Sequence, residues 1–504
     1  MLLSVPSEIQ SKIAFEADHR TRQRLRRTCK LLSDVATPLV FRAVYVDLSW
    51  TQHPDSSLVF LQSLISGPKL AQHIRHLSLF LPNNSRRNPS RFTTEARIQK
   101  REDRLNSFDV MFLGAIPSMV SMRSLFWTSN VDSGPSYAEL MFERFGGLPL
   151  LSSLKIYSLG EWDIPWYPFR RIRDINYWGD SDNELLDFLA YTPNIESIDF
   201  YIRPRQGDRS QKRQSILLLF SRWPSGTYST VKTLKIDGGK YRRLYAHEIP
   251  TLVPHLLHLE NLHTGVTMSI PDEFWDRLRK EEIHLASLSH RQKGLRRTLL
   301  SYLVSYTGLH ELSLSICGRP IADDLQMAYL LANAIASHSW TLTIVHIEPS
   351  CSGPWCLDHP MLDALELCHS LQSLHVRADE ARTRVKTNNV INRTLQCVVM
   401  LWPNIRDLKI HAVSQSFGFD ALRMTASQIH KHILAFCFAP LPQERHGLLF
   451  SSDFAQYSIK VHDEKNNIQA FKIEHLKEWG RKEARRILRR KYKFWKRFDD
   501  ADDD

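Results

Sequence analysis

Glycine is scarce in this chain, 19 among 504 residues. That scarcity argues against nucleotide-binding turns, which need bare backbone close to a phosphate. There is no Gly-rich phosphate loop and no Gly-x-Ser-x-Gly elbow, and His247-Glu248 lacks the second histidine of a His-Glu-x-x-His metal pair. Long apolar runs are missing too. The densest, Ile216-Leu217-Leu218-Leu219-Phe220, is core-sized and far short of the roughly 18 residues of a spanning helix. Pro6 and Glu8 interrupt the N-terminus before any apolar region develops, so no secretory signal is expected. Cysteines are few and odd in number, seven scattered along the chain, which fits reduced thiols and a cytoplasmic or nuclear location, or both. The one metal-like grouping is Cys351, Cys356, His359, Cys368 and His369. It opens with a spacing that zinc permits but ends in an adjacent Cys-His instead of a spaced pair. Cys368 also shares an apolar helical face with Leu362, Leu365 and Leu371, where a thiol behaves as a small hydrophobe. The reading is no metal, no cofactor, no catalytic residue and no enzyme.

What is present is the composition of a globular protein. Hydrophobic residues make up 43% and charged ones 24%, enough to bury a large core in more than one structural unit. The formal charge of +12 is unevenly placed. Residues 472–498 hold 12 Lys and Arg against 3 Glu, and five Asp follow. Elsewhere the basicity sits in polar stretches at 82–104, 203–214, 238–247 and 378–393.

From residue 74 onward a seven-residue pattern recurs, apolar-x-x-apolar-x-apolar-x. It runs Ile74 to Phe80, Met122 to Thr128, Leu151 to Tyr157, Ile172 to Trp178, Ile195 to Tyr201 and Val231 to Asp237. It continues at Leu259 to Gly265, Leu309 to Ser315, Leu342 to Glu348, Leu371 to Arg377 and Ile405 to His411. The pattern resembles the strand portion of a leucine-rich repeat. Helix-like stretches lie between, among them Glu184 to Ala190, Thr298 to Ser305, Ala328 to Ala336 and Leu395 to Leu401. The fold class is therefore α/β: an irregular leucine-rich-repeat solenoid with a parallel sheet on its concave face and helices outside. A 50-residue gap between starts suggests a degraded unit near Ile283-His284-Leu285.

With the three apolar positions buried, the intervening residues face the open side of the sheet. In the N-terminal half these include Phe126, Tyr157, Trp178 and Tyr201, an outward aromatic patch of the protein-binding kind unless loops or a cap cover it. Further on, His375, Arg377, Lys409 and His411 suggest a basic face for an acidic or phosphorylated segment. These eight are the candidate target-binding residues. Three polar insertions, at 82–104, 203–214 and 378–393, each follow a strand and would emerge on one rim. Arg86, Arg87, Arg205 and Arg213 make that rim basic, either as an acidic-partner site or as solvated loops.

The first 48 residues have their own organisation. Pro6 suits the first helical position and Glu8 the third, where a carboxylate meets the positive helix end. Ile9 and Ile13 fall one turn apart, and Leu25, Leu31, Leu32 and Val35 close a small helical hairpin before Pro38 stops it. The order Val5-Pro6-Ser7-Glu8-Ile9, Leu25-Arg26-Arg27-Thr28-Cys29-Lys30-Leu31-Leu32, Ala36-Thr37-Pro38-Leu39-Val40-Phe41-Arg42 resembles an F-box, most closely the fungal type. Leu32 stands where that family usually has an aromatic residue, and the link Glu16 to Arg24 is more polar than usual. The resemblance implies docking on a Skp-type adaptor, and through it on a cullin–RING ligase, by Pro6, Ile9, Ile13, Leu25, Leu31, Leu32 and Pro38.

Together the segments resemble F-box proteins with leucine-rich repeats. That class implies a non-catalytic substrate-recognition subunit of a ubiquitin ligase, with an unknown target protein. The alternatives are a basic interaction scaffold for nucleic acid or an anionic surface, and then a hydrolase or transferase on an unfamiliar α/β fold. The domains read as 1–48 adaptor docking, 49–435 solenoid, 436–474 C-terminal cap and 475–504 basic amphipathic helix with an acidic tail. In the last of these, Ala484, Ile487, Leu488, Tyr492, Trp495 and Phe498 share one helical face. That helix would cap the last repeat, signal nuclear import or bind an anionic surface.

Overall fold

The computed structural model describes residues 5–47, 54–80, 107–129, 138–158, 164–179, 183–202, 214–224, 226–236, 241–265, 270–318, 323–384, 389–413, 419–436, 449–453, 455–463 and 469–478. The chain divides into two compact units, Met1–Tyr241 and Arg242–Asp504, a division that falls inside the segment read as one solenoid.

Unit 1 begins with three helices where the sequence suggests a hairpin of two: α1 (Ser7–Glu16), α2 (His19–Arg26) and α3 (Lys30–Val40). The polar link is itself helical because Asp18 caps it, its carboxylate accepting the Thr21 backbone N–H at 2.7 Å. Arg22 of α2 donates to the Ala14 carbonyl at 3.0 Å, tying α2 to the end of α1. Pro38 does not stop α3 but lies within it, in the last turn. A proline there forfeits one hydrogen bond, and the ladder resumes with Phe41 N–H to Thr37 O at 3.0 Å.

Seven strands follow in parallel succession: β1 (Ala43–Asp47), β2 (His76–Phe80), β3 (Ser124–Ser129), β4 (Ser153–Ser158), β5 (Asp174–Gly179), β6 (Ser197–Ile202) and, after the short β7 (Gln214–Ser215), β8 (Thr233–Ile236). The register aligns the repeat positions. Val46, Leu79, Trp127, Ile156, Tyr177, Phe200 and Ile236 form one row across the sheet, and all are buried. Period-2 alternation therefore gives one apolar face and one open face. On the apolar face Trp127 meets Phe142 of helix Ala138–Gly146, ring centroids 4.8 Å apart. β1 is a repeat strand too: Phe41-Arg42-Ala43-Val44-Tyr45-Val46-Asp47 carries the same pattern.

Unit 2 repeats the arrangement. After β9 (Tyr241–Arg243) come β10 (Asn261–Thr264), β11 (Ser287–Lys293), β12 (Glu311–Cys317), β13 (Ile344–Pro349), β14 (Ser373–Ala378), β15 (Asp407–Ala412) and β16 (Leu449–Ser452), the last seven parallel in succession. β11 is the degraded unit. His290 occupies its last apolar position, fully buried, with Nδ1 2.5 Å from the hydroxyl of Thr264, its neighbour in the register. Polar groups from the helix at 297–304 and from the turn at 401–404 reach into this core with partners. Tyr302 donates to the Ile283 carbonyl at 2.7 Å, and Trp402 donates to the Leu365 carbonyl at 3.0 Å. The chain then turns antiparallel in β17 (Ala455–Asp463) and β18 (Gln469–Glu478). Residues 475–478 are therefore strand, where the sequence suggests the start of a helix. Alternation in Phe471-Lys472-Ile473-Glu474 favours that outcome. The amphipathic stretch 484–498 lies outside the described residues. Among the described residues no helix is long and apolar enough to cross a membrane.

Candidate functional site

The open face of unit 1 carries a continuous line of six aromatic rings, one from each of β1 to β6. Centroid separations are 4.6 Å for Tyr45–Phe80, 5.2 Å for Phe80–Phe126 and 5.6 Å for Phe126–Tyr157. They are 5.3 Å for Tyr157–Trp178 and 4.6 Å for Trp178–Tyr201. The register explains the line. Tyr157, Trp178 and Tyr201 are direct cross-strand neighbours, while Tyr45, Phe80 and Phe126 sit on diagonals two residues apart. Each ring is within the range at which aromatic pairs attract, so the line holds itself in place. Tyr45 is 60% exposed and Trp178 37%, and the rings between are half-buried. The ammonium of Lys155 lies over both Phe126 and Tyr157, at 5.4 and 5.5 Å from their centroids. All four aromatics proposed from sequence are thus brought together. Tyr45 and Phe80 were missed, although Phe80 closes its seven-residue pattern in the same column as Tyr157.

The open face of unit 2 differs from its sequence reading. His375, Arg377, Lys409 and His411 lie on β14 and β15 as expected, but each meets a carboxylate. Asp407 accepts from His375 Nε2 at 2.6 Å and from Lys409 Nζ at 2.8 Å. Arg377 reaches Glu348 at 3.3 Å, and His411 reaches Asp453 at 3.1 Å. The basic residues form a charge-paired network, not a free positive surface. His346 stacks flat on His375, centroids 3.7 Å apart. Burial, then the neighbouring His375, pushes the His346 pKa down to about 4, so the stack is neutral at neutral pH. Burial would raise Asp407, but hydrogen bonds from Lys409 and His375 hold it below the usual carboxylate range.

On the N-terminal helices, Ile9 and Ile13 are 46% and 41% exposed and Leu31 is 45% exposed, with Phe15 also outward. Pro6 is exposed at the N-cap of α1, and Leu25 and Pro38 are half-buried. Leu32 is buried and holds the helices together instead of facing outward. Arg86, Arg87, Arg205 and Arg213 lie outside the described residues.

Unit 1 also has a cleft of about 600 Å³ that the sequence did not announce, with Trp166, Tyr167, Phe188 and Tyr191 in its walls. It opens where the β4–β5 connection, residues 164–173, forms no helix among the described residues. The cysteine grouping has the character of core. Cys351, Cys356 and Cys368 are buried, and burial pushes the thiols of Cys356 and Cys368 up to about 12. Among the described residues no cluster of His, Cys, Asp or Glu has the geometry to hold a metal ion. In comparisons with known proteins, no family model matches the chain and no curated sequence matches it.

Proposed function

We propose that this chain is the substrate-recognition subunit of a cullin–RING ubiquitin ligase. Its N-terminal helices dock a Skp-type adaptor, and the aromatic line of unit 1 captures the target protein. Such a subunit needs no catalytic residue, because holding target and conjugating enzyme together raises their effective concentration.

One observation carries the reading: two exposed apolar surfaces are joined by a very short, packed connection. α3 ends at Val40 and β1 begins at Ala43. Only Phe41 and Arg42 separate the helices that bear Ile9, Ile13 and Leu31 from the strand that bears Tyr45. Phe41 is fixed in place, stacked on Phe60 at 6.1 Å with the Arg26 guanidinium 4.8 Å over its ring. A fixed join holds a captured target at a set position relative to the adaptor, which is what transfer by proximity requires. Exposed apolar rings and aliphatic side chains in contiguous patches are costly to leave in water and favour protein partners.

Copurification from cell extract tests the proposal. The tagged chain brings down a Skp-type adaptor, and Ile9→Asp loses it while remaining folded. Failure of the wild-type chain to retain any such adaptor overturns the reading.

A further inference from the structure

Behind the sheet of unit 1, on the side away from the aromatic line, one position in the outer layer lacks a helix. The β3–β4 connection carries the helix Ala138–Gly146 and the β5–β6 connection the helix Asn183–Tyr191. The β4–β5 connection between them forms no helix among the described residues, and the cleft of about 600 Å³ opens there. That connection is nevertheless anchored at three points. Trp166 is buried, its ring 5.4 Å from Tyr177 of β5 and 5.3 Å from Phe188, centroid to centroid. Phe169 is buried edge-on against Phe142 at 5.4 Å. Pro168 lies so close to Gly146 that any side chain at 146 would collide with it. Packing thus fixes the walls before any ligand arrives, as in most small-molecule sites.

The cleft is aromatic inside and acidic at its mouth. Trp166 and Phe188 are buried at its floor, while Tyr167 and Tyr191 stand exposed at its rim. The Tyr167 hydroxyl donates to Glu143 at 3.0 Å and lies 3.5 Å from Glu139, one turn away on the same helix. Neither carboxylate has a cation within ion-pair distance among the described residues. Asp187, also in the lining, is paired with Arg222 at 2.5 Å. Arg170 is the one cation among the described lining residues.

We propose that this cleft binds a small organic cation, an alkylated or quaternary ammonium head carried on an apolar body. The electron-rich faces of aromatic rings attract such a head, and its alkyl groups lose little by leaving water. Glu139 and Glu143 add negative charge at the mouth, close enough to act before salt screens them. A bare metal ion fits poorly, because among the described residues no cluster of donors could replace its water shell. An anionic ligand would meet Glu139 and Glu143 unpaired. Arg170 opposes the cation, so residues of opposite sign set the affinity in opposite directions. The volume is that of a site for a drug-sized molecule, about 300–1,000 Å³. Because the cleft lies behind the sheet, this inference does not rest on the receptor reading.

The test titrates the full-length chain with benzyltrimethylammonium, benzyl alcohol and benzoate, read by saturation-transfer NMR and calorimetry. Benzyltrimethylammonium is expected to bind, benzyl alcohol about tenfold more weakly or worse, and benzoate not at all. Tyr191→Leu and Glu139→Gln should each weaken the cation about threefold or more, and Arg170→Gln should tighten it. All three side chains are exposed, so the variants keep the wild-type melting temperature, which thermal unfolding checks. Equal binding of benzyl alcohol and benzyltrimethylammonium overturns the proposal, as does no binding of the cation or an unchanged affinity in all three variants. Tighter retention of a trimethyllysine peptide than of benzyltrimethylammonium overturns the assignment to a small molecule.

Discussion

Phe126 and Trp127 are adjacent in sequence and point to opposite faces of β3. Trp127 is fully buried, its ring 4.8 Å from Phe142. Phe126 stands on the open face between Phe80 and Tyr157, at 5.2 and 5.6 Å. One strand thus supplies the core with one ring and the open face with the next.

That division sets the first prediction. Trp127→Ala opens a cavity and costs about 3–5 kcal/mol of stability. Trp178→Ala and Tyr201→Ala, on the open face, each weaken target capture by about 2 kcal/mol, the size of an interface anchor. Their melting temperatures stay near that of the wild type. Thermal unfolding read beside target binding separates the two classes, and a large melting shift for Trp178→Ala would move the line of rings into the core.

Stability should also depend on pH through buried histidines. Burial pushes His290 from 6.5 down to about 4. The unfolded chain takes up that proton first, so stability is full above pH 6.5, declines as pH falls toward about 4 and levels below it. His346 acts in the same direction. Urea unfolding at about pH 7.5 and about pH 4.5 should show the loss, and His290→Leu should make it smaller.

In the unit 2 network, burial pushes His375 down, while the hydrogen bond to Asp407 holds it up. Asp407→Asn removes that support and leaves Lys409, 3.0 Å from His375 Nε2, as the nearer influence. The His375 midpoint should fall in an NMR titration. An unchanged midpoint would mean that the contact does not persist in solution.

Much of the sheet was legible because burial imposes a period of two on residues whose spacing is fixed by the repeat. Each of the eleven patterned segments became a strand. The strand at 43–47 escaped, and the one at 287–293 was legible only as a degraded unit, for different reasons. Phe41 to Asp47 fits the pattern but overlaps the F-box-like segment. Leu285 to Arg291 breaks it, because His290 replaces an apolar residue, its Nδ1 paired with Thr264. α2 was hidden because a helix so polar shows no apolar period, and its only local signal is the Asp18 cap. Of the site, Phe126, Tyr157, Trp178 and Tyr201 were readable from columns in the repeat. The pairing of His375 with Asp407 was not, because the two are 32 residues apart and meet only once the register is known.

The central claim is that α1 and α3 dock an adaptor without help from the sheet. Calorimetric titration of a purified Skp-type adaptor into the purified chain tests it most directly, with Ile9→Asp and Trp178→Ala measured alongside. The account predicts that wild type and Trp178→Ala bind equally and that Ile9→Asp loses about 2 kcal/mol or more, the cost of a charge at an apolar anchor. Absence of binding by the wild-type chain, or equal binding by Ile9→Asp, would contradict it.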